Sequence, residues 1–190
     1  MGNAYADLPA GDWGQNLQNA IDCYEAALRV RTETEFPREW PGTQNNMGIA
    51  YADLPAGDRG QNLQNAIQCY EAALRVRTET EFPLQWAMTQ NNLGIAYFDL
   101  PAGDRGQNLQ NAIDCYEAAL RVRTETEFPL QWAGTLNNLG NAYVDLPTGD
   151  REQNLQTAIQ CYEAALKVYT ETEFPREWAI VQENFKNAQK

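Results

Sequence analysis

The sequence predicts an all-α chain built as an α-solenoid of antiparallel helix pairs, and three observations predict it. The text repeats every 46 residues, with Met/Leu-Gly-x-Ala-Tyr-x-Asp-Leu-Pro-x-Gly-Asp beginning at Met1, Met47, Leu93 and Leu139. Both halves of each repeat space their apolar residues at helical intervals. Proline and glycine punctuate each join between the halves. Self-similarity at this period is the mark of stacked supersecondary units, each too small to bury its own apolar face. Met47 to Asn92 and Leu93 to Asn138 differ at only five positions, so one repeat can be read for all.

The first half of the repeat forms helix A. Trp86, Leu93, Ala96, Tyr97 and Leu100 lie at steps of seven, three, one and three, which gathers them on one face. The run Asp53-Leu-Pro-Ala-Gly-Asp58 then stops the helix, because Pro55 disfavours helix at Leu54 and Gly57 accepts turn geometry. Asp58 restarts it as an N-cap, and Gln61 is expected to reach back in the manner of a capping box. The second half, helix B, carries Leu63, Ala66, Ile67, Tyr70, Ala73 and Leu74 on one wide stripe. It is expected to run on through Arg75-Val-Arg-Thr-Glu-Thr-Glu-Phe82. Pro83 then stands where the next helix A begins, a position where its missing N–H costs nothing.

These residues resemble the tetratricopeptide repeat family over nearly the whole chain. Leu93-Gly94 with Tyr97, then Ala112, Tyr116, Ala119 and Leu120, match the family pattern, as do Met47-Gly48, Tyr51, Ala66, Tyr70, Ala73 and Leu74. The unit is longer than the family's 34 residues, and Trp86 stands at seven residues before Leu93 instead of three. The doublet Asn91-Asn92 in Thr-x-Asn-Asn-Leu-x-x-x-Tyr is most similar to the longer repeats of kinesin light chains. The resemblance implies a right-handed superhelix whose concave groove, lined by the A helices, receives a peptide or an extended protein segment. It places Gly42, Asn45, Asn46, Ile49, Ala52 and Asp53 in the groove, followed by Met88, Asn91, Asn92, Ile95, Phe98 and Asp99. Gly134, Asn137, Asn138, Asn141, Val144 and Asp145 follow, with Asn184 behind them. An asparagine ladder offers donors and an acceptor to an extended backbone without demanding one sequence. The same asparagines could instead bond neighbouring helices.

Formal net charge is −12, with 26 acids against 14 bases, so the chain repels phosphate backbones and anionic membranes. Neither nucleic acid nor membrane is an expected partner. Arg75 and Arg77 are followed by Glu79 and Glu81, and Arg121 and Arg123 recur likewise, which reads as a solvated, charge-laced face. Without an apolar run of about 18 residues or a basic, cleavable leader, the chain is expected in the cytoplasm. Cys23, Cys69, Cys115 and Cys161 occupy equivalent places about 10 Å apart, too far for disulfides, and read as small buried side chains.

The array divides into a partial repeat 1–37, repeats 38–83, 84–129 and 130–175, and a closing helix 176–190 in one domain. Met1 aligns with Met47, halfway along helix A, so the first helix B lacks its covering turns. Two readings of this end compete, a fragment cut from a longer array or an end that joins another copy, and apolar stripes without a polar cap invite homo-oligomers. Trp13 stands where 59, 105 and 151 are arginine, placed to lie over part of that gap. Pro41 replaces the alanine of other repeats at a tolerated early helix position. At the other end, Lys186 takes the place of Gly48, Gly94 and Gly140, and polar neighbours suit a cap.

No catalytic set emerges. There is no histidine, no phosphate-binding glycine loop, and the carboxylates repeat with the scaffold. The acidic linker lacks the ligand density of a calcium loop. No cofactor, metal or enzymatic activity is expected. Four of the five differences between the central repeats, Met47/Leu93, Ala52/Phe98, Met88/Gly134 and Gln90/Leu136, fall in helix A, where specificity pockets would lie. The groove lacks the basic residues of a carboxylate clamp, and Asp53, Asp99 and Asp145 favour a neutral or basic peptide. The expected function is a non-enzymatic interaction scaffold. The alternative is a structural or self-assembling array, natural or consensus-built, without a ligand.

Overall fold

A computed structural model describes residues 2–6 and 12–190. Among them the chain is all-helical, with nine α-helices and no strand. It falls into two compact units, Met1–Ala102 and Gly103–Lys190. The first holds α1 (Gly2–Ala6), α2 (Trp13–Val30), α3 (Trp40–Asp53), α4 (Arg59–Leu74) and α5 (Pro83–Asp99). The second holds α6 (Arg105–Leu120), α7 (Pro129–Asp145), α8 (Arg151–Leu166) and α9 (Pro175–Ala188). Within each unit consecutive helices pack against one another, as in an α-solenoid. Of the first helix A, Met1 and Asp7 lie outside the described residues.

The core of each pair is the B-helix stripe closed by helix A. Leu63, Ala66 and Ala73 of α4 are sealed from solvent, and Tyr70 is nearly so. Helix A meets that tyrosine through bare backbone. A methyl group on Gly48 would stand 2.6 Å from the Tyr70 ring, and one on Gly140 would stand 2.6 Å from the Tyr162 ring. The Gly residue of the repeated motif is therefore a packing residue, not a flexible one. At the linker the requirement is different: Gly57 and Gly149 sit at φ +84° and +81°, a left-handed turn that lets the chain reverse in so few residues.

The linker caps work as the sequence suggests on one side only. Asp58 accepts the Gln61 N–H at 2.8 Å, and Asp104 and Asp150 repeat the bond. The Gln61 side chain does not reach back. It donates to Asn65 Oδ1 at 3.0 Å, one turn up the same face. The linker is instead pinned by Asn62, whose amide donates to the carbonyls of Leu54 and Ala56 at 3.3 and 2.8 Å.

Helix B is shorter than its expected run to Phe82. It ends at Leu74, and residues 75–82 form successive turns. Thr78 supplies the reason. Its Oγ takes the Glu81 N–H at 3.2 Å and its carbonyl takes the Phe82 N–H at 3.0 Å, offering the backbone partners outside a helix. Phe82, held before Pro83, lies at φ −136°, outside the helical region. Pro41 also does more than occupy a tolerated place. The equivalent A helices start at Pro83, Pro129 and Pro175, whereas α3 begins at Trp40, three residues later than Pro37 would have started it. The Trp40 N–H still bonds the Phe36 carbonyl at 2.9 Å, but proline at 41 has no N–H to give the carbonyl of Pro37, so the helical run of bonds is interrupted there.

Gly48→Ala should lower stability by about 1–3 kcal/mol through overpacking against Tyr70. Gly42→Ala, whose methyl would meet only Arg77 Nη2 at 3.5 Å, should raise it by up to about 1 kcal/mol. Urea midpoints of the two variants against the parent chain measure both.

Candidate interaction surface

The A-helix residues named from the resemblance separate into two groups once the packing is seen. Ile49 of α3 and Met88 and Ile95 of α5 are large apolar side chains left 37–39% exposed. Asn46, Ala52, Asn92 and Phe98 are half-buried beside them. In the second unit the equivalent face is more polar, with Asn137, Asn138, Asn141 and Val144 half-buried on α7 and Asn184 half-buried on α9. Asn45 and Asn91 belong to the interior. Asn45 is 1% exposed, and Asn91 is buried as well.

What the buried asparagine does is visible at Thr89. Arg77 Nη1 donates to Thr89 Oγ1 at 3.0 Å, and that hydroxyl lies 3.2 Å from Asn45 Oδ1 and donates to the Gln85 carbonyl at 2.8 Å. Helices α3 and α5 and the turns that follow α4 thus meet at one threonine. Arg77 is only 9% exposed and so is no part of a solvated charge face. Burial lowers its pKa from the ordinary guanidinium value. Its neighbour Arg75 bonds Glu33 at 3.1 Å and lies over the Trp40 ring at 5.5 Å.

The half-buried asparagines also join helices. Asn46 donates to Asn3 Oδ1 at 3.1 Å, and Asn184 donates to Asn137 Oδ1 at 3.0 Å. Tyr24 donates to Asn3 at 2.6 Å, and Tyr162 donates to Asn141 at 2.7 Å. Asn46, Asn137, Asn141 and Asn184 therefore spend part of their capacity within the protein.

The acidic rim is not uniform. Asp99 accepts from Arg59 at 3.3 Å, and Asp145 accepts from Arg105 at 3.1 Å. Arg59 also donates to the Ala52 carbonyl. Asp53 has no hydrogen-bond or ion-pair partner among the described residues. The arginine that would match it in register is Trp13, which is 51% exposed. Beside them lies a cavity of about 250 Å³, lined in part by Asn3, Trp13, Tyr24, Asn46, Ile49 and Asp53.

Sequence reading missed the Arg77–Thr89 bond, though a signal was present. The bond recurs as Arg123 to Thr135 at 2.8 Å. In the last repeat both partners change together, to Tyr169 and the buried Val181. Tyr169 instead donates to the Leu130 carbonyl at 2.9 Å. A paired change at constant separation marks a contact.

All four cysteines are free, three of them buried. Burial, then the charge of Glu25, pushes the Cys69 thiol up to about 12, and burial with Glu117 raises Cys161 to about 11. No group of three or more His, Cys, Asp or Glu among the described residues could hold a metal ion. No helix among them is long and apolar enough to cross a membrane.

The chain matches no model of a known protein family, and no curated protein matches it in sequence.

Three outcomes follow from these contacts. Thr89→Val strands Arg77 and Asn45 without their shared hydroxyl and should cost about 1–3 kcal/mol in a urea titration. A thiol reagent at pH 8 should label Cys23 in the folded chain but Cys69 and Cys161 only after denaturation, because the reactive thiolate is suppressed in both. Tyr51 donates to Glu25 at 3.2 Å and Tyr143 to Glu117 at 3.1 Å, and burial and then these carboxylates raise both phenols to about 12 from 10.0. A raised pKa means that the fold favours the protonated phenol, so this stability is complete below pH 10.0 and lost as pH rises toward 12. Tyr51→Phe should flatten the decline in thermal midpoint across that window.

Proposed function

We propose that this protein is a non-enzymatic interaction scaffold of the tetratricopeptide type that holds a peptide or extended protein segment along its A-helix face. The observation that carries this reading is the exposed pair Met88 and Ile95, seven residues apart on α5 with Asn92 between them. Two helical turns bring those positions to one line on the surface. Isolated exposed apolar residues need no explanation, but a line of them flanked by amides offers side-chain pockets together with backbone hydrogen bonding. Ile49 and Phe98 extend the apolar character within the same unit. In the second unit Gly134 and Asn141 replace Met88 and Ile95, so the face of that unit differs in chemistry from that of the first.

A second reading, self-association, is favoured by one observation. Cys23, Ala27 and Val30 of α2, with Gly42, Thr43 and Asn46 of α3, line a cleft of about 760 Å³, and Val30 is among the most exposed apolar side chains. A helix of a second copy would cover it. Light scattering over a concentration series distinguishes this reading, since a constant monomer mass would end it.

The groove reading is tested by selecting peptides from a random displayed library on the full chain and measuring their affinity for a Met88→Asp, Ile95→Asp variant. Both positions are exposed, so the helical content should stay unchanged while affinity falls by more than about tenfold. Selected peptides that bind the variant as tightly as the parent would overturn the assignment.

A further inference from the structure

We propose that the cavity between Trp13 and Asp53 is a binding pocket for a cationic side chain of the partner segment, arginine above all. The inference rests on the A-helix reading above and names one anchor of the ligand.

The protein itself supplies the precedent. In the next repeat, the residue at the first position of helix B is Arg59, whose guanidinium donates to the Ala52 carbonyl and to Asp99 of the following A helix. Arg105 makes the same pairing with Asp145 in the second unit. Each guanidinium therefore fills the space between a helix B start and the next rim carboxylate. At Trp13 the register is the same. The glycine after it faces Pro55 as Gly60 faces Pro101 and Gly106 faces Pro147, with a methyl on each falling 3.2, 3.5 and 3.4 Å from the proline ring. The carboxylate is present as Asp53, but the cation is absent because residue 13 is tryptophan.

Two consequences follow. Among the described residues Asp53 keeps an unmatched carboxylate, which burial shifts toward protonation while the nearby Arg59 opposes that shift without pairing to it. The space that a guanidinium fills elsewhere remains open, at about 250 Å³. That volume lies below the roughly 300–1,000 Å³ of small-molecule sites and suits one side chain better than a cofactor. Its wall chemistry is specific. Trp13 offers the aromatic face that attracts cations most strongly, Asp53 offers an anion, and the Asn46 and Asn3 amides lie at the edge. A partner arginine would restore in trans the contact that the other repeats make in cis, with a cation–π contact added. A net charge of −12 would speed its approach.

The test uses the full chain and two short acetylated, amidated glycine-serine peptides that differ only in a central arginine or its neutral isostere citrulline. Affinities are measured by isothermal titration calorimetry for every chain, and in the parent chain and Asp53→Asn the indole N–H resonance of Trp13 is also followed by NMR. The arginine peptide should bind roughly tenfold more tightly than the citrulline peptide and shift that resonance. Trp13→Arg, which installs the residue of the other three repeats and plugs the pocket, should abolish the preference. Asp53→Asn should abolish it too, with circular dichroism confirming that both variants remain folded. Equal affinity for the two peptides would overturn the proposal. So would an arginine preference that survives Trp13→Arg, since the acidic surface in general would then be responsible. Absence of binding by either peptide also rejects it. Failure of this pocket would leave the Met88 and Ile95 face untouched, because neither residue is among those that line it.

Discussion

The close approach of a bare helix backbone to a buried tyrosine ring is the constraint on which the rest of the structure depends. Gly48 on Tyr70 and Gly140 on Tyr162 leave no room for even a methyl group. With the axes drawn together, the small residues of helix B, Ala66 and Ala73 among them, can be sealed completely. A larger residue at the glycine would hold the helices apart and open voids along the whole stripe, because close-packed interiors do not absorb such a shift locally. The tyrosine hydroxyl, which cannot be left dry, reaches an asparagine where the structure shows it, as at Tyr162 and Asn141. The same contact thus sets helix spacing and draws one member of the asparagine ladder into structural work.

Polar groups do the joining from repeat to repeat. Thr89 receives Arg77 and Asn45, and each tyrosine of the Tyr51, Tyr97 and Tyr143 series donates to a glutamate on the preceding helix B, at 3.2, 2.9 and 3.1 Å. Pairings of this kind add register to a stack whose apolar stripe would tolerate sliding, since dispersion is not directional and a hydrogen bond is. The last repeat supports this view by dispensing with the charge. Tyr169 and Val181 replace arginine and threonine together, so no buried donor is left without an acceptor.

Such economy leaves few groups over for a ligand. The surface asparagines are mostly committed, Asp99 and Asp145 are neutralised, and the A-helix face of the first unit retains Ile49, Met88, Ile95 and the carboxylate of Asp53. An apolar line beside one unmatched anion describes the chemistry of a segment that would complement it: hydrophobic residues near a single positive charge.

The sequence by itself determined the helix pairs, their order and their joins, because period, capping aspartate, proline and positive-φ glycine are all local in origin. Asp58, Gly57 and Pro83 stand where their chemistry places them. Only the tertiary structure decided which polar residues turn inward. Asn45 and Ile49 sit one turn apart on the same helix, yet the asparagine is buried and the isoleucine exposed. No hydrophobicity scale would order them so. The reason is a threonine 44 residues away that supplies the asparagine's partner, and periodicity within one helix carries no information about a neighbour at that distance. The unmatched Asp53 has the same origin, in a single side chain exchanged on a neighbouring helix, whereas the end of helix B at Leu74 goes with the local hydrogen bonds of Thr78, which apolar periodicity does not register.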